Sequence, residues 1–304
     1  MIKVTAGDAL LDRNIREAFS EAARAPEQVM KKFWSVTNED LPEFEYMRTG
    51  NIGAPVPWEG SVHYEDRKEL GRISRTPTEW TLGFMVDHNT WRWAKNGDFA
   101  AKQYINECPE KVGYRFAEHF EEQRASFVNN GFDGTILAID GVTLFSASHT
   151  IDDQTNSNLF TTPVSVAAIE AGRLRGRGTW LDDKGKMITA RLTGIISGVM
   201  KESEIRVLTG TEKKPGSNHN DINELKLYGG FDVTASEFIT SSLNWIMYDP
   251  FLIKKNLLWN NNTPVTFDRD NDFDTKIHKF SGQAMYAKIV LQPYFAVGFN
   301  VDGA

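Results

Sequence analysis

The sequence has a single cysteine, Cys108, in 304 residues. A lone thiol excludes a disulfide framework and any cysteine-rich zinc module, and it fits a reducing compartment. No apolar run approaches the ~20 residues of a membrane-spanning helix. The N-terminal Met1-Ile2-Lys3-Val4-Thr5 has no apolar signal core. Basic excess is missing too: 34 Lys and Arg stand against 41 Asp and Glu, a net charge of -7. A bulk electrostatic grip on nucleic acid needs the opposite balance. There is no GxGxxG before a helix, no P-loop, no HExxH and no GxSxG elbow. The histidines His63, His88, His119, His149, His219 and His278 stand singly, none with a second His or Cys at ligand spacing. No repeat of fixed period is visible, which argues against solenoids and propellers.

What is present describes a folded α+β chain. Hydrophobic residues make up 40% and charged residues 25%, which excludes wholesale disorder. Leu10, Leu11, Ile15, Ala18, Phe19 and Ala22 recur at helical spacing, and Val29, Met30, Phe33 and Trp34 form a second stripe after Pro26. Such an amphipathic N-terminal segment docks either on its own core or on a neighbouring subunit. Val62 to Asp66 and Thr76 to Val86 read as the strands of a long exposed hairpin, too poor in apolar residues for a core of its own. Asp98 caps one helix or two running to about 130, with Pro109 in a first turn or kink, Val112, Phe116, Phe120 and Phe127 on one face and Glu121 and Arg124 among the charges elsewhere. A further helix starts near Ser165. Strands are expected at Ile195-Ile196, Ile205 to Leu208, Leu225 to Tyr228, Ser236 to Ile239 and Trp245 to Tyr248. The run from Ala284 to Phe299 reads as one strand or two, with a break at Pro293.

Candidate chemistry is sparse. Gly172 to Gly178 fits no phosphate-loop template, and its arginines suit a helix C-terminus or an acidic neighbour better than nucleic acid. Asp268, Asp270, Asp272 and Asp274 alternate as in a calcium loop. The match then breaks, because Phe273 stands where glycine is needed and Lys279 where the bidentate glutamate is needed. His149 lies near Ser146, Ser148, Asp152 and Asp153, a set that suits a loop-holding hydrogen bond more than a nucleophile and its base. No catalytic residue, cofactor or metal is expected. Several elements lack an intramolecular place for their apolar face, which favours a subunit of a large assembly.

The segment Gly141 to His149 (GVTLFSASH), followed by an Asn-rich loop and a helix, resembles the major capsid proteins of tailed bacteriophages. These have the Hong Kong 97-type fold, and within them the chain is most similar to the Mu-like major head subunits. Trp245 to Pro250 (WIMYDP) resembles their aromatic-Asp-Pro segment. The long helix, the 55–90 hairpin and the 284–299 strands fall in the corresponding order. The resemblance implies an N-terminal arm (1–50), an extended hairpin loop (51–92), a peripheral domain (93–184, spine helix about 98–130), an axial domain (185–270) and closing strands of the peripheral domain (271–304).

It also implies a function: pentamers and hexamers forming an icosahedral shell around double-stranded DNA, in a virion assembled in the host bacterial cytoplasm. Expected contacts between subunits are Trp58, Tyr64, Lys68, Trp80 and Phe84 of the hairpin, with Phe19 and Trp34 of the arm. Lys68 lies in the loop through which some shells of this fold cross-link, but no matching asparagine is identified. Leu144, Phe145 and His149 are expected to structure their loop. Implied partners are a separate scaffolding protein, a portal, a decoration protein and the packaged DNA, touched without sequence preference; no membrane is implied. An encapsulin-like nanocompartment, an enzyme without a recognisable motif and another phage structural protein stand as alternatives.

Overall fold

One long helix and two sheets organise the chain, which the computed structural model describes over residues 6–24, 28–215, 221–272 and 274–300. In chain order come α1 (Ala6–Ala22), a 3-10 turn (Met30–Phe33), β1 (Ser35–Thr37), β2 (Phe44–Thr49), β3 (Glu69–Arg75), β4 (Thr78–Val86), α2 (His88–Lys95) and α3 (Phe99–Asn129). There follow β5 (His149–Ile151), β6 (Gln154–Asn156), β7 (Leu159–Phe160), α4 (Val166–Gly178), β8 (Gly194–Gly198) and α5 (Val199–Gly210). The last third holds α6 (Glu224–Leu227), β9 (Asp232–Ser236), β10 (Trp245–Tyr248), α7 (Leu252–Asn256), β11 (Leu257–Asn271), β12 (His278–Val290) and β13 (Ala296–Phe299).

Helix α3 is the element expected over 98–130. The Asp98 side chain accepts from the Ala101 N–H at 2.8 Å, satisfying a donor that the first helical turn leaves free. Val112, Phe116 and Phe127 are buried. At 1.5 Å per residue, its length is about 46 Å. Helix α1 packs on it with Ile15 and Phe19 buried. At Gly113 a Cβ would stand 2.5 Å from the Phe19 carbonyl oxygen, an approach that only glycine admits. Glu121 and Arg124 are both buried, where the sequence pattern placed them on a charged face. Glu121 accepts from the Met30 N–H at 2.7 Å and from Arg124 at 3.2 Å, so it ties the chain after α1 to α3.

The four-stranded sheet has the order β1-β11-β12-β4, and β1 runs parallel to β11. The five-stranded sheet has the order β7-β13-β10-β8-β9. In the second, β8, β10 and β13 are buried throughout. Trp245 stacks on Phe299 with centroids 3.8 Å apart. Beside the first, Trp34 meets Trp259 and Phe127 edge to face. Each fully buried ring contributes roughly 1.5–3 kcal/mol of transfer free energy, and its ring contacts add to that.

Several expectations are corrected. Thr76 to Val86 is no arm of the projecting hairpin: β4 pairs with β12, Phe84 opposite Phe280, and the hairpin is β2 with β3. The longer apolar partner wins, because Phe84 and Val86 then bury against Phe280, Phe267 and Trp91. Ile205 to Leu208 is helical. The buried residues of α5 are Ile205 and Thr209, four apart, a helical and not a strand period. Leu225 to Leu227 lies in α6, whose N-cap Asn223 accepts from the Leu225 N–H. Strand β9 stops at Ser236. The final run splits around Pro293 into two strands of different sheets. Sheet membership therefore cuts across the boundary expected at 270/271, with β11 in the four-stranded sheet and β13 in the five-stranded one. Met1 to Thr5, Pro26, His219 and Phe273 lie outside the described residues.

Candidate assembly interface

The projecting hairpin is anchored at its base. Phe44 and Ile73 bury against Ile139, Ala287, Ile289 and Leu291. Beyond β2 and β3 the chain runs from 50 to 68 without regular structure. Its neck is held by backbone and charge. The Gly50 N–H donates to the Lys68 carbonyl at 2.7 Å, and Arg67 Nε donates to the Gly50 carbonyl at 2.9 Å. The Asn51 N–H donates to Asp183 at 3.1 Å, and its amide to Asp182 at 2.9 Å. A Cβ on Gly50 would meet Asp183 Oδ2 at 2.6 Å, so a side chain there would displace the carboxylate that holds Asn51. Glu65 accepts from the Gly53 N–H at 2.7 Å and faces His63 and Lys184. The Gly53 N–H, then His63, hold its carboxyl below the usual glutamate range. Burial works against the charge of Asp182, but the Lys186 N–H, the Asn51 amide and the Lys184 N–H outweigh it and keep the group below the ordinary aspartate value.

Beyond the clamp the loop is apolar and uncovered. Trp58 is 73% exposed and Tyr64 86%, and Ile52, Val56 and Val62 are exposed with them. Rings of this size are worth burying, and a contiguous uncovered group of them marks an interaction surface. Lys68 is exposed and pairs with Asp152 at 3.3 Å. The other expected contacts lie elsewhere. Trp80 is on β4, partly covered by His119 and Tyr286. Phe84 stacks on Phe280 with centroids 4.9 Å apart. Phe19 and Trp34 are corrected outright: both are buried in this chain's own core, Phe19 on Phe267 and Trp34 with its Nε1–H donating to the Arg124 carbonyl. Side chains committed to their own subunit cannot anchor a neighbour.

The second singled-out group sits behind the hairpin. His149 is fully buried, Nδ1 facing Asp140 Oδ2 at 2.7 Å and Nε2 facing the Leu144 carbonyl at 3.0 Å. The Asn158 amide donates to the same carbonyl at 2.8 Å and accepts from the Ser146 N–H. Leu144 and Phe145 are buried, Phe145 against Phe132. A His–Asp pair serves catalysis when the far nitrogen reaches a nucleophile. Here that nitrogen meets a backbone carbonyl away from solvent, so the pair staples a loop. Sequence reasoning missed Asp140 and Asn158, whose only signal was their position among the turn-forming residues of an irregular stretch. Of the acidic run, Asp272 binds Lys279 at 3.1 Å and accepts from two N–H groups of its own turn. Lys279 first, then Thr275, pull its carboxyl down to about 2. Among the described residues no group of three or more His, Cys, Asp or Glu is placed to hold a metal. The arginines of the 172–178 run belong to α4: Arg173 pairs with Glu170 and lies over the Tyr228 ring.

A long helix against a four-stranded sheet, a projecting hairpin and a separate five-stranded sheet define the Hong Kong 97-type capsid fold. Three solved structures share it over most of the chain. The capsid subunit of a native GTA particle superposes with a TM-score of 0.57 at 12% identity, covering 90% of this chain and 89% of its own. The virus-like particle from Pyrococcus furiosus gives 0.56 at 10% identity, covering 95% and 98%. The procapsid of bacteriophage JBD30 gives 0.52 at 12% identity, covering 98% and 76%. At these identities the likeness is one of fold. No protein-family model and no curated protein matches the sequence.

Proposed function

We propose that this chain is a major head subunit of a tailed phage, forming pentamers and hexamers that close an icosahedral shell around double-stranded DNA. The observation that carries the reading is the extent of the fold. It accounts for 98% of the chain against a procapsid subunit, so no segment of catalytic-domain size is left over. The exposed hairpin tip supports it, since Trp58 and Tyr64 have no cover within the subunit. Rings of five and six need two different faces that match, and each contact can be weak because many act together. An acidic balance suits a container, because phosphate contacts to a basic lining add up and would oppose release. Partners in this reading are a scaffolding protein, a portal and a decoration protein, and the assembled chain resides in the virion.

The test is to purify the chain with and without the products of its neighbouring genes, and to measure particle mass by light scattering and negative-stain microscopy. Rings or closed shells are expected. A homogeneous monomer or dimer beside a candidate scaffold would overturn the proposal. Nuclease-protected DNA inside the shells separates a phage head from a compartment filled with protein.

A further inference from the structure

The limb that leaves the clamp, Asn51 to Glu59, reads NIGAPVPWE. Pro55 and Pro57 fix φ near -65° and hold the residues before them extended. No residue of the limb has a positive φ. In extended backbone, successive N–H groups point to opposite edges. The odd-numbered edge of this limb is spent or blank. The Asn51 N–H donates to Asp183 and the Gly53 N–H to Glu65, and residues 55 and 57 are prolines without an N–H. The even-numbered edge is intact. Among the described residues, nothing accepts from the N–H of Ile52, Ala54, Val56 or Trp58. The same four carry the limb's exposed apolar side chains. Prolines two apart thus make a one-sided strand, able to extend a sheet along one edge and barred from pairing along the other.

An edge of matching length is open on the same chain. Strand β4 has nine residues and ends the four-stranded sheet, and among the described residues no strand pairs with its outer side. Thr78 to Gly83 are exposed, Trp80 and Leu82 included. The strand's only charge is Glu79. A long, exposed, apolar edge with so little charge invites pairing unless something covers it.

We infer that the Asn51–Glu59 limb of one copy adds as a fifth, antiparallel strand to the outer edge of β4 in a second copy. The inference rests on the shell reading above and names its partner surface. Charge sets the direction. Antiparallel pairing brings Glu59 to the Arg75 end of β4, whereas parallel pairing brings it to Asp87. Among the described residues neither Glu59 nor Arg75 has an ion pair, and Arg75 donates only to the Ser74 carbonyl. Backbone bonds supply the affinity, and the alternate side chains Ile52, Val56 and Trp58 supply selectivity. Limb and edge are different surfaces of one chain, so the contact runs head to tail and closes into a ring.

The test works on assembled particles in a Cys108→Ser background. Val56→Cys is combined in turn with Thr78→Cys, Glu79→Cys, Thr81→Cys and Leu82→Cys, and the particles are mildly oxidised. At least one pair is expected to give a ladder of linked chains on a non-reducing gel, while each single cysteine gives none. Separately, Ala54→Pro removes one outward donor and should lower particle yield more than about tenfold, because the loss recurs at every interface of a ring. The unfolding midpoint of unassembled Ala54→Pro subunit, compared with the parent, shows whether the fold is kept. Normal particles from a folded Ala54→Pro chain, or intact particles in which no pair cross-links, would overturn the pairing and leave the shell reading standing. No particles from the unmodified chain under any condition would overturn both.

Discussion

Lys288 shows what burial does to a single charge in this protein. Its Nζ donates to the Gln123 carbonyl at 3.1 Å, the Gln123 side chain at 2.9 Å and Ser126 Oγ at 2.7 Å. Burial pushes its pKa down to about 8, from an ordinary value of 10.5. Between those values the unfolded chain holds a proton that the native chain has released. The residue's destabilising effect therefore fades as pH rises from about 8 towards 10.5. Denaturant unfolding of the subunit on either side of that window should show the parent gaining at most about 3 kcal/mol relative to Lys288→Met. His149 makes a different prediction. Replacing it with alanine removes the buried imidazole that links Asp140 to the Leu144 carbonyl and should cost about 2–4 kcal/mol, read as a lowered thermal midpoint of the unassembled subunit. The histidine was legible, because Leu-Phe-x-x-x-His stands out in the sequence. Its partner Asp140 was not, because nine residues of irregular chain carry no period from which a contact can be read.

Elements were legible where one periodicity dominated. The α3 stripe of Val112, Phe116 and Phe127, bounded by Asp98, marked the helical stretch, and Pro109 left open one helix or two, which the structure resolves as one helix with Pro109 inside it. Trp245 to Tyr248 was equally plain, as a short apolar run buried on both faces. The failures came where β-branched residues sit in helices, as in α5, and where a strand had two possible partners. For Thr76 to Val86 the nearest segment in sequence was the wrong one, and the choice of β12 depends on residues some 200 positions away. That pairing decides where the hairpin can be cut. A deletion of 60–75 would remove β3 and its buried Ile73. Replacing 54–64 with two glycines removes the exposed Val56, Trp58, Val62 and Tyr64 and leaves β2 and β3 in place. The expected outcome is a subunit with parental circular dichroism and unfolding midpoint that forms no shells in light scattering. Normal shells from it would exclude the tip from assembly. The neck has a readout of its own, since a side chain at Gly50 would displace the Asp183 carboxylate that holds Asn51. Gly50→Ala should loosen the neck and raise proteolytic nicking within 50–68.

At the scale of the whole molecule, helices and strands followed from patterning and the fold from the resemblance carried by Gly141 to His149 and Trp245 to Pro250, whereas the division between sheets did not follow, because it is set by pairings distant in sequence. Those pairings carry a kinetic consequence. Ser35 pairs with Leu258, and β13, the last strand, lies inside the five-stranded sheet between β7 and β10. Non-local pairings of this kind make folding slow, since the loop entropy is lost before the contacts form. A chain stopped after Gln292 lacks an interior strand and should remain protease-sensitive throughout, not only at its end. During synthesis, β4 emerges long before β12 can bind it, so its apolar stretch spends that interval in need of protection. Neither sheet can close until β12 and β13 have left the ribosome, and a chain that has not reached them therefore has no finished face to offer a neighbour. If the chain builds a shell as proposed, the order of synthesis itself keeps half-made subunits out of it.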